Sequence, residues 1–328
     1  MSPEPYKDPR SVEMAIKEAV RAMHAADPAV SVGERIRQAH FDRLLCRVFS
    51  QGAQSDWVLK GGTGMLARIP NTRATKDIDL FATGYTLDQA LAALRQLSAV
   101  DLGDYFRFEY VSHSESVAGD QQPYAEGYRV AFQAFLGTKQ LGDIGVDLVV
   151  SVGGVTGVEV IEPANRIDLP RLTTFPYRLY PVERQIADRV CATIAEYSSG
   201  PSSREKDLVD LVAIANTQTV DATRVRTAIM QEARLRGLGQ VVEFSVPSNW
   251  GPAYEKEARK VPVCERHFPR YWIVRRPCSC ELDDCPVGVL HSAPFSRPCP
   301  LVGLPPSPRL TTSAHREAPS IQILRHTK

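Results

Sequence analysis

The order of apolar and polar positions along the chain predicts alternating helices and strands. Apolar residues recur at the spacing of amphipathic helices in residues 10–26 and 32–52. After them, apolar runs with two-residue alternation predict strands at 55–60, 76–82, 105–112, 127–136, 143–151 and 158–161, with helices at 63–68 and 86–98. The helical pattern returns in residues 181–197, 202–216 and 220–238.

These elements predict an α/β (α+β) fold, with a small mixed β-sheet flanked by helices and followed by a helical C-terminal half. Prolines at 163, 170, 176 and 181 mark the expected boundary between the sheet and the helical half. The predicted regions are N-terminal helices in 1–54, a core in 55–180, a helical region in 181–260 and a Pro/Cys-rich tail in 261–328.

Two aspartates stand two residues apart in the second predicted strand, in the string D-I-D-L-F. Because side chains alternate along a strand, Asp77 and Asp79 share one face while Ile78 points into the core. Two carboxylates about 7 Å apart along one strand repel each other unless a cation lies between them. Mg²⁺ is the expected cation, because proteins hold it with one or two carboxylates plus substrate phosphates.

A glycine pair precedes these aspartates, and its Thr63 lies fourteen residues before Asp77. Gly61 and Gly62 allow a tight turn in which backbone N–H groups approach an anion. A glycine pair alone is more often an ordinary turn, and a D-x-D string alone is more often a surface pair of aspartates. Together, at this spacing and between apolar runs, they indicate phosphoryl or nucleotidyl transfer.

Asp147 stands alone in the otherwise apolar string I-G-V-D-L-V-V. A carboxylate inside such a strand is costly unless it is paired or bound to a metal. It is therefore a third candidate acidic residue. The alternative is a strand-end aspartate that pairs with an arginine.

The strings L-K-G-G-T and T-K-D-I-D-L together resemble the first motif of DNA polymerase β-type nucleotidyltransferases. More narrowly, residues 55–260 resemble the AbiEii-type (MenT-like) toxins of bacterial toxin–antitoxin systems. The resemblance implies Mg²⁺ held by Asp77 and Asp79, with Asp147 completing the metal site or accepting the proton of the attacking hydroxyl. It also implies a nucleotide-binding group formed by Lys60, Gly61, Gly62 and Thr63.

Two later strings extend the resemblance. I-A-D-R-V-C-A carries Arg189 where the family usually has a phosphate-binding lysine, so the point charge becomes a planar fork. R-E-K-D-L-V-D-L resembles the fourth motif, which implies that Lys206 and Asp207 line the active site. Arg189 and Lys206 would neutralise the leaving pyrophosphate, and Asp207 would orient a cation or the acceptor. Without the other motifs, K-D-x-x-D is typical of a solvated helix face, on which Lys206 pairs with Asp210.

The function implied by the resemblance is transfer of a nucleoside monophosphate from an NTP to RNA, with the 3′ end of tRNA as the expected acceptor. Such a transfer would block aminoacylation and growth, and a cognate antitoxin is the expected partner. Two alternatives stay open, namely transfer to protein side chains and a non-catalytic nucleotide- or RNA-binding module. A basic cluster in residues 220–238 could contact an RNA backbone or could be a solvated helix face: Arg224, Arg226, Arg234 and Arg236.

Composition excludes some classes of protein. With 328 residues, 43% hydrophobic content and a net charge of +1, the chain is typical of a globular protein rather than a strongly basic nucleic-acid coat. No apolar run is long enough for a membrane span and the first residues do not resemble a signal peptide, so we expect a cytoplasmic protein. Cys46 and Cys191 lie on apolar helix faces and are expected to be buried thiols.

The tail differs from the rest of the chain. Eleven of the 24 prolines and five of the seven cysteines lie beyond residue 261, where periodicity disappears. The cysteines and histidines of this segment match no strong zinc-site spacing: Cys264, His267, Cys278, Cys280, Cys285 and His291. We therefore predict a poorly ordered tail without function, consistent with a shifted reading frame or an unselected extension.

Overall fold

The predicted alternation folds into a mixed sheet with helices against it. The computed structural model describes residues 4–115, 126–151, 154–195, 204–239, 241, 243–246, 250–265 and 320–322. The helices are α1 (Pro9–Ala26), α2 (Val32–Val48), α3 (Gly61–Arg68), α4 (Leu87–Ser98), α5 (Val182–Ile194), α6 (Glu205–Thr217), α7 (Ala222–Leu235), α8 (Gly251–Ala258) and α9 (Pro262–Glu265). The strands are β1 (Trp57–Lys60), β2 (Asp77–Thr83), β3 (Phe106–Glu115), β4 (Glu126–Leu136), β5 (Lys139–Ser151), β6 (Glu159–Ile161), β7 (Tyr177–Leu179), β8 (Glu243–Ser245) and β9 (Ser320–Gln322).

Within these residues, seven strands form one mixed sheet in the order β3-β4-β5-β2-β1-β7-β6. Strand β2 lies at its centre, parallel to β5 and antiparallel to β1. Strands β1 and β7 are parallel, and the other neighbours are antiparallel. The mixed sheet with flanking helices confirms the predicted fold class.

The two faces of the central strands have different surroundings. Ile78 and Leu80 of β2 are fully buried in the main core, with apolar side chains of α1, α2 and α4. Asp77 and Asp79 alternate with them and therefore project from the opposite face. The sequence prediction for Ile78 is confirmed, and the acidic pair lies on the face away from the N-terminal helices.

The C-terminal helices pack beside α3 rather than against the N-terminal layer. Met65 of α3 and Ile69 share a second apolar cluster with Val182 of α5, Val209 of α6 and Tyr254 of α8. This packing carries α5 and α6 to the glycine end of β1. The division of the chain at residues 54, 180 and 260 stays a prediction.

The structure differs from the element predictions at β7 and at the start of α3, and it adds α8, α9, β8 and β9, which the sequence analysis did not predict. Strand β7 was not predicted, because it lies within the four residues between Pro176 and Pro181, which the proline spacing assigns to a connection. Helix α3 begins at Gly61 rather than at residue 63, so both glycines belong to its first turn. The start of α4 agrees with the predicted range of 86–98, because Thr86 is its N-cap and accepts a hydrogen bond from the Gln89 backbone N–H at 3.3 Å.

Cys46 and Cys191 are buried and unbridged, as predicted. Burial raises the pKa of Cys46 to about 11 and that of Cys191 to about 12, so neither thiol is ionised near neutral pH. Cys264 is also buried, and its thiol lies 3.5 Å from the Val209 carbonyl oxygen. The other candidate zinc ligands lie outside the described residues, as do most of the tail and residues 202 and 203 of the helix predicted at 202–216.

Among the residues with described structure, no helix is both long and apolar enough to cross a membrane.

Candidate active site

Three predicted acidic residues project from adjacent strands on one face of the sheet. In the parallel register of β2 and β5, Asp79 stands opposite Asp147 and Asp77 stands opposite Gly145. A Cβ atom on Gly145 would lie 2.5 Å from Asp77 Oδ1, so a side chain there would displace that carboxylate. The sheet thus brings together carboxylates that lie far apart in sequence.

The glycine turn closes over Asp79. Gly61 has a φ of 60°, and a Cβ atom at this position would lie 2.8 Å from the Cβ of Asp79. The Gly62 backbone N–H donates to Asp79 Oδ2 at 3.3 Å, and the Thr63 hydroxyl donates to the Asp77 carbonyl oxygen at 2.9 Å. Only a residue without a side chain fits at position 61 while Asp79 keeps this place.

Basic side chains extend from the two neighbouring strands. Lys60 stands opposite Asp79 in the register of β1 and β2, and Arg129 stands opposite Asp147 in that of β4 and β5. The Arg129 Nη2 atom lies 2.8 Å from Asp77 Oδ2, and its Nη1 atom lies 3.6 Å from Asp147 Oδ1. Asp147 therefore does have an arginine partner, as the alternative interpretation of this residue expected.

Arg129 was not among the predicted site residues. It lies in the alternating string G-Y-R-V-A-F, where nothing local distinguishes it from a solvated strand residue. Its partner is fixed by the register of β4 on β5, which a single sequence does not specify.

Burial dominates the electrostatics of the acidic group. Burial raises the pKa of Asp79 to about 6; the charge of Lys60 opposes this effect and the charge of Asp147 adds to it. Burial likewise raises the pKa of Asp147, against the opposing charge of Arg129. The local basic groups therefore do not fully compensate the carboxylates, and the site favours additional positive charge.

The donor set fits a hard divalent cation. Carboxylate oxygens are the ligands that Mg²⁺ prefers, and Asp77 and Asp79 share a face beside the glycine turn. In the conformation described, no three His, Cys, Asp or Glu side chains of the described residues already form a metal-binding group. The residues therefore suit a cation that the carboxylates of Asp77 and Asp79 would hold. Oxygens of the substrate would complete its coordination, and Asp147 lies beside the two carboxylates.

Helix α5 joins the glycine turn to the C-terminal helices. Gln185 donates to the Gly61 carbonyl oxygen at 3.0 Å. One turn later, the Nη2 atom of Arg189 lies 2.7 Å from Asp210 Oδ2 on α6. The charge of Arg189 also lowers the pKa of Asp79 against the larger effect of burial, so the predicted arginine does lie near the predicted aspartate.

The fourth-motif residues have different surroundings. Asp207 pairs with Arg204 at 2.9 Å. Burial opposes the charged form of Arg189, but the charges of Asp210 and, to a smaller extent, Asp207 raise its pKa. Lys206 is exposed. Lys206 does not make the pair with Asp210 that its spacing predicts. Among the described residues, the partners of Asp210 are two arginines.

Arg68, the last residue of α3, donates from Nη1 to Glu159 Oε2 at 2.7 Å.

One family model covers all the strands and helices that carry this site. The family model described as "Nucleotidyl transferase AbiEii toxin, Type IV TA system" matches residues 43–272, well over half of the chain. The chain belongs to the AbiEii family. The resemblance inferred from the sequence is confirmed, and the matched range includes every predicted site residue.

The other comparisons add little to this AbiEii assignment. The chain is similar to the crystal structure of JHP933 from Helicobacter pylori at 13% identity and a TM-score of 0.37, over 71% of this chain and 90% of that one. It is also similar to a candidate nucleotidyltransferase from H. pylori at 13% identity and a TM-score of 0.39, over 72% and 95%. No curated protein matches at a significant level.

Proposed function

We propose that this AbiEii protein is a Mg²⁺-dependent enzyme that transfers a nucleoside monophosphate from an NTP to a hydroxyl of RNA. The observation that carries the proposal is the placement of Asp77, Asp79 and Asp147 on one sheet face beside the glycine turn. A tRNA 3′ end is the proposed acceptor, because a nucleotide added there prevents aminoacylation. A cytoplasmic location and a cognate antitoxin accompany this function.

The reaction forms a bond between the acceptor oxygen and the α-phosphorus, and breaks the bond from that phosphorus to the bridging oxygen of pyrophosphate. Asp77 and Asp79 would hold Mg²⁺, which supplies positive charge to the reacting phosphate oxygens. Asp147, in register with Asp79, would complete that group or accept the proton of the acceptor hydroxyl. The two proposed roles of Asp147 both require it to face the α-phosphate.

The phosphates of the NTP would lie at the glycine turn. Gly61, Gly62 and Thr63 form the first turn of α3, where backbone N–H groups are not used within the helix. Lys60 would add positive charge from the end of β1, and Arg189 would neutralise charge on the leaving pyrophosphate. Lys206 and Asp207, one turn of α6 from Asp210, are proposed to act on the leaving group and the acceptor.

An RNA acceptor is supported by exposed arginines on α7. Arg224, Arg226 and Arg234 are exposed, whereas Arg236 is largely covered and pairs with Glu232 at 2.6 Å. Exposed arginines on one helix suit contacts to a phosphate backbone without sequence preference. Three of the four arginines of the predicted cluster are thus exposed, and Arg224 also lies 3.6 Å from Glu183.

Incubation with each α-³²P-labelled NTP, Mg²⁺ and total RNA tests the proposal. Asp79→Asn removes one proposed metal ligand, and Asp88→Asn, an exposed aspartate of α4, is the matched control. We expect label in a tRNA-sized band with the wild type and the control but not with Asp79→Asn. Label in protein would favour transfer to side chains. Nucleotide binding without transfer in all four reactions would favour the non-catalytic module.

A further inference from the structure

Asp210 is a buried carboxylate that holds two arginines from different parts of the chain. Its side chain is 1% exposed. Arg73, in the segment between α3 and β2, donates from Nε to Oδ1 at 3.0 Å and from Nη2 to Oδ2 at 2.8 Å. Arg189 donates to Oδ2 from Nε at 3.1 Å and from Nη2 at 2.7 Å. Asp210, Arg73 and Arg189 together carry one net positive charge, and the charge of Asp207 also acts on Arg189.

This charged group adjoins the glycine turn. A Cβ atom built on Gly62 would lie 3.8 Å from Nη1 of Arg73. Gln185, one turn before Arg189 on α5, donates to the Gly61 carbonyl oxygen. Both arginines thus lie on the side of the turn that the C-terminal helices cover.

Each of the two guanidinium groups has one nitrogen, Nη1, that Asp210 does not engage. Asp210 engages the Nε and Nη2 atoms of Arg73 and of Arg189, and in the described part of the chain no acceptor is bonded to Nη1 of either residue. Arginine forks bind phosphate oxygens with charge-assisted hydrogen bonds. Because Asp210 already fixes both guanidinium groups, they lose little conformational freedom when a polyanion binds.

We propose that Arg73 binds the β- and γ-phosphates of the NTP together with Arg189, and that Asp210 is the positioning residue that holds both. The proposal rests on the proposed function in that it names where the triphosphate lies. It assigns Arg73 a role in the site and explains why Asp210 is buried between two cations. If Arg73 only linked its segment to α6, its loss would affect the binding of a nucleoside triphosphate and of a monophosphate equally.

Calorimetric titration separates these two roles. The ligands are an α,β-methylene NTP, which cannot transfer its nucleotide, and the corresponding NMP, each with Mg²⁺. Arg73→Gln keeps the pair between Arg189 and Asp210, and Arg107→Gln, an exposed arginine of β3, is the matched control. We expect Arg73→Gln to weaken triphosphate binding about tenfold or more, as for a lost charged contact, with unchanged NMP binding and an unchanged control.

Asp210→Asn tests the positioning role. We expect it to lose the same preference for triphosphate over monophosphate, and the double variant with Arg73→Gln to lose no more than Asp210→Asn alone. In the transfer assay, Arg73→Gln should raise KM for the NTP more than it lowers kcat. Because Asp210→Asn leaves two guanidiniums without their buried counter-charge and could prevent folding, Arg73→Gln alone decides the proposal.

A folded Arg73→Gln protein with wild-type triphosphate affinity would overturn the proposal while leaving the proposed function intact. A wild-type protein that binds no nucleotide would overturn both.

Discussion

Replacing Gly61 by alanine tests the close packing of the glycine turn on the acidic group. The residue has a φ of 60°, which costs an L-residue roughly 1–2 kcal/mol. The added Cβ would also lie 2.8 Å from the Cβ of Asp79, an atom that rotation of the carboxylate does not move away. Overpacking of this kind typically costs about 1–3 kcal/mol.

Gly52→Ala separates the two contributions. Gly52 has a φ of 59°, and a Cβ atom added there would have nothing within 4 Å, so this variant has the backbone cost without the steric conflict. We expect Gly52→Ala to lower the free energy of unfolding by about 1–2 kcal/mol. Gly61→Ala should lower it by about 2–5 kcal/mol, the sum of both costs.

The conflict should also affect catalysis. A displacement of Asp79 by about 1 Å would reduce transfer about 100-fold, because reacting groups must be held in place. Urea unfolding measures the stability of each variant, and incorporation of labelled nucleotide measures its activity. Equal stability of the two alanine variants, with full transfer by Gly61→Ala, would refute the contact between the glycine turn and Asp79.

Three further changes have defined outcomes. Asp104→Asn should lower the free energy of unfolding, measured in urea, by about 3–5 kcal/mol. The reason is that Arg47, which donates to Asp104 at 2.7 and 3.0 Å, would be left as an unbalanced buried charge. A loss below about 1 kcal/mol would contradict this. Burial lowers the pKa of His40 to about 4, so the unfolded chain binds more protons and stability should fall by up to about 3 kcal/mol as pH drops from about 6.5 to 4. His40→Leu should flatten that dependence in urea unfolding across this pH range, and an unchanged slope would contradict it. Arg129→Gln should raise the pKa of Asp147 further above its usual value, which carbon-detected NMR titration measures, and an unchanged pKa would contradict the pairing.

The sequence was informative wherever a local rule decides the outcome. Alternation along β2 is a property of any strand, so the shared face of Asp77 and Asp79 followed from their spacing alone. The cap at Thr86 is likewise decided within four residues. The glycine pair indicated an anion-binding turn, although not that its first glycine packs against Asp79.

The remaining contacts depend on register and on helix packing. Arg129 meets Asp77 and Asp147 only because β4 pairs with β5 in one particular register. The helical spacing of Lys206 and Asp210 suggested a surface pair, yet Asp210 is buried by tertiary packing. A local charge pattern cannot show which face of a helix becomes buried. Here the burial of Asp210 gives it Arg73 and Arg189 as partners in place of Lys206.

The distribution of charge explains why the helical half is needed for the proposed chemistry. The sheet supplies three carboxylates, whereas an NTP brings several negative charges to the same place. Arg189 and Asp210 come from helices beyond residue 181, and Arg73 is tied to Asp210 across 137 residues of chain. Only when α5 and α6 pack beside α3 do the cations face the glycine turn. Acidic residues on the sheet alone could bind a cation, but in the proposed function the charge that would neutralise the outer phosphates comes from Arg189 on α5 and from Arg73, which Asp210 of α6 holds.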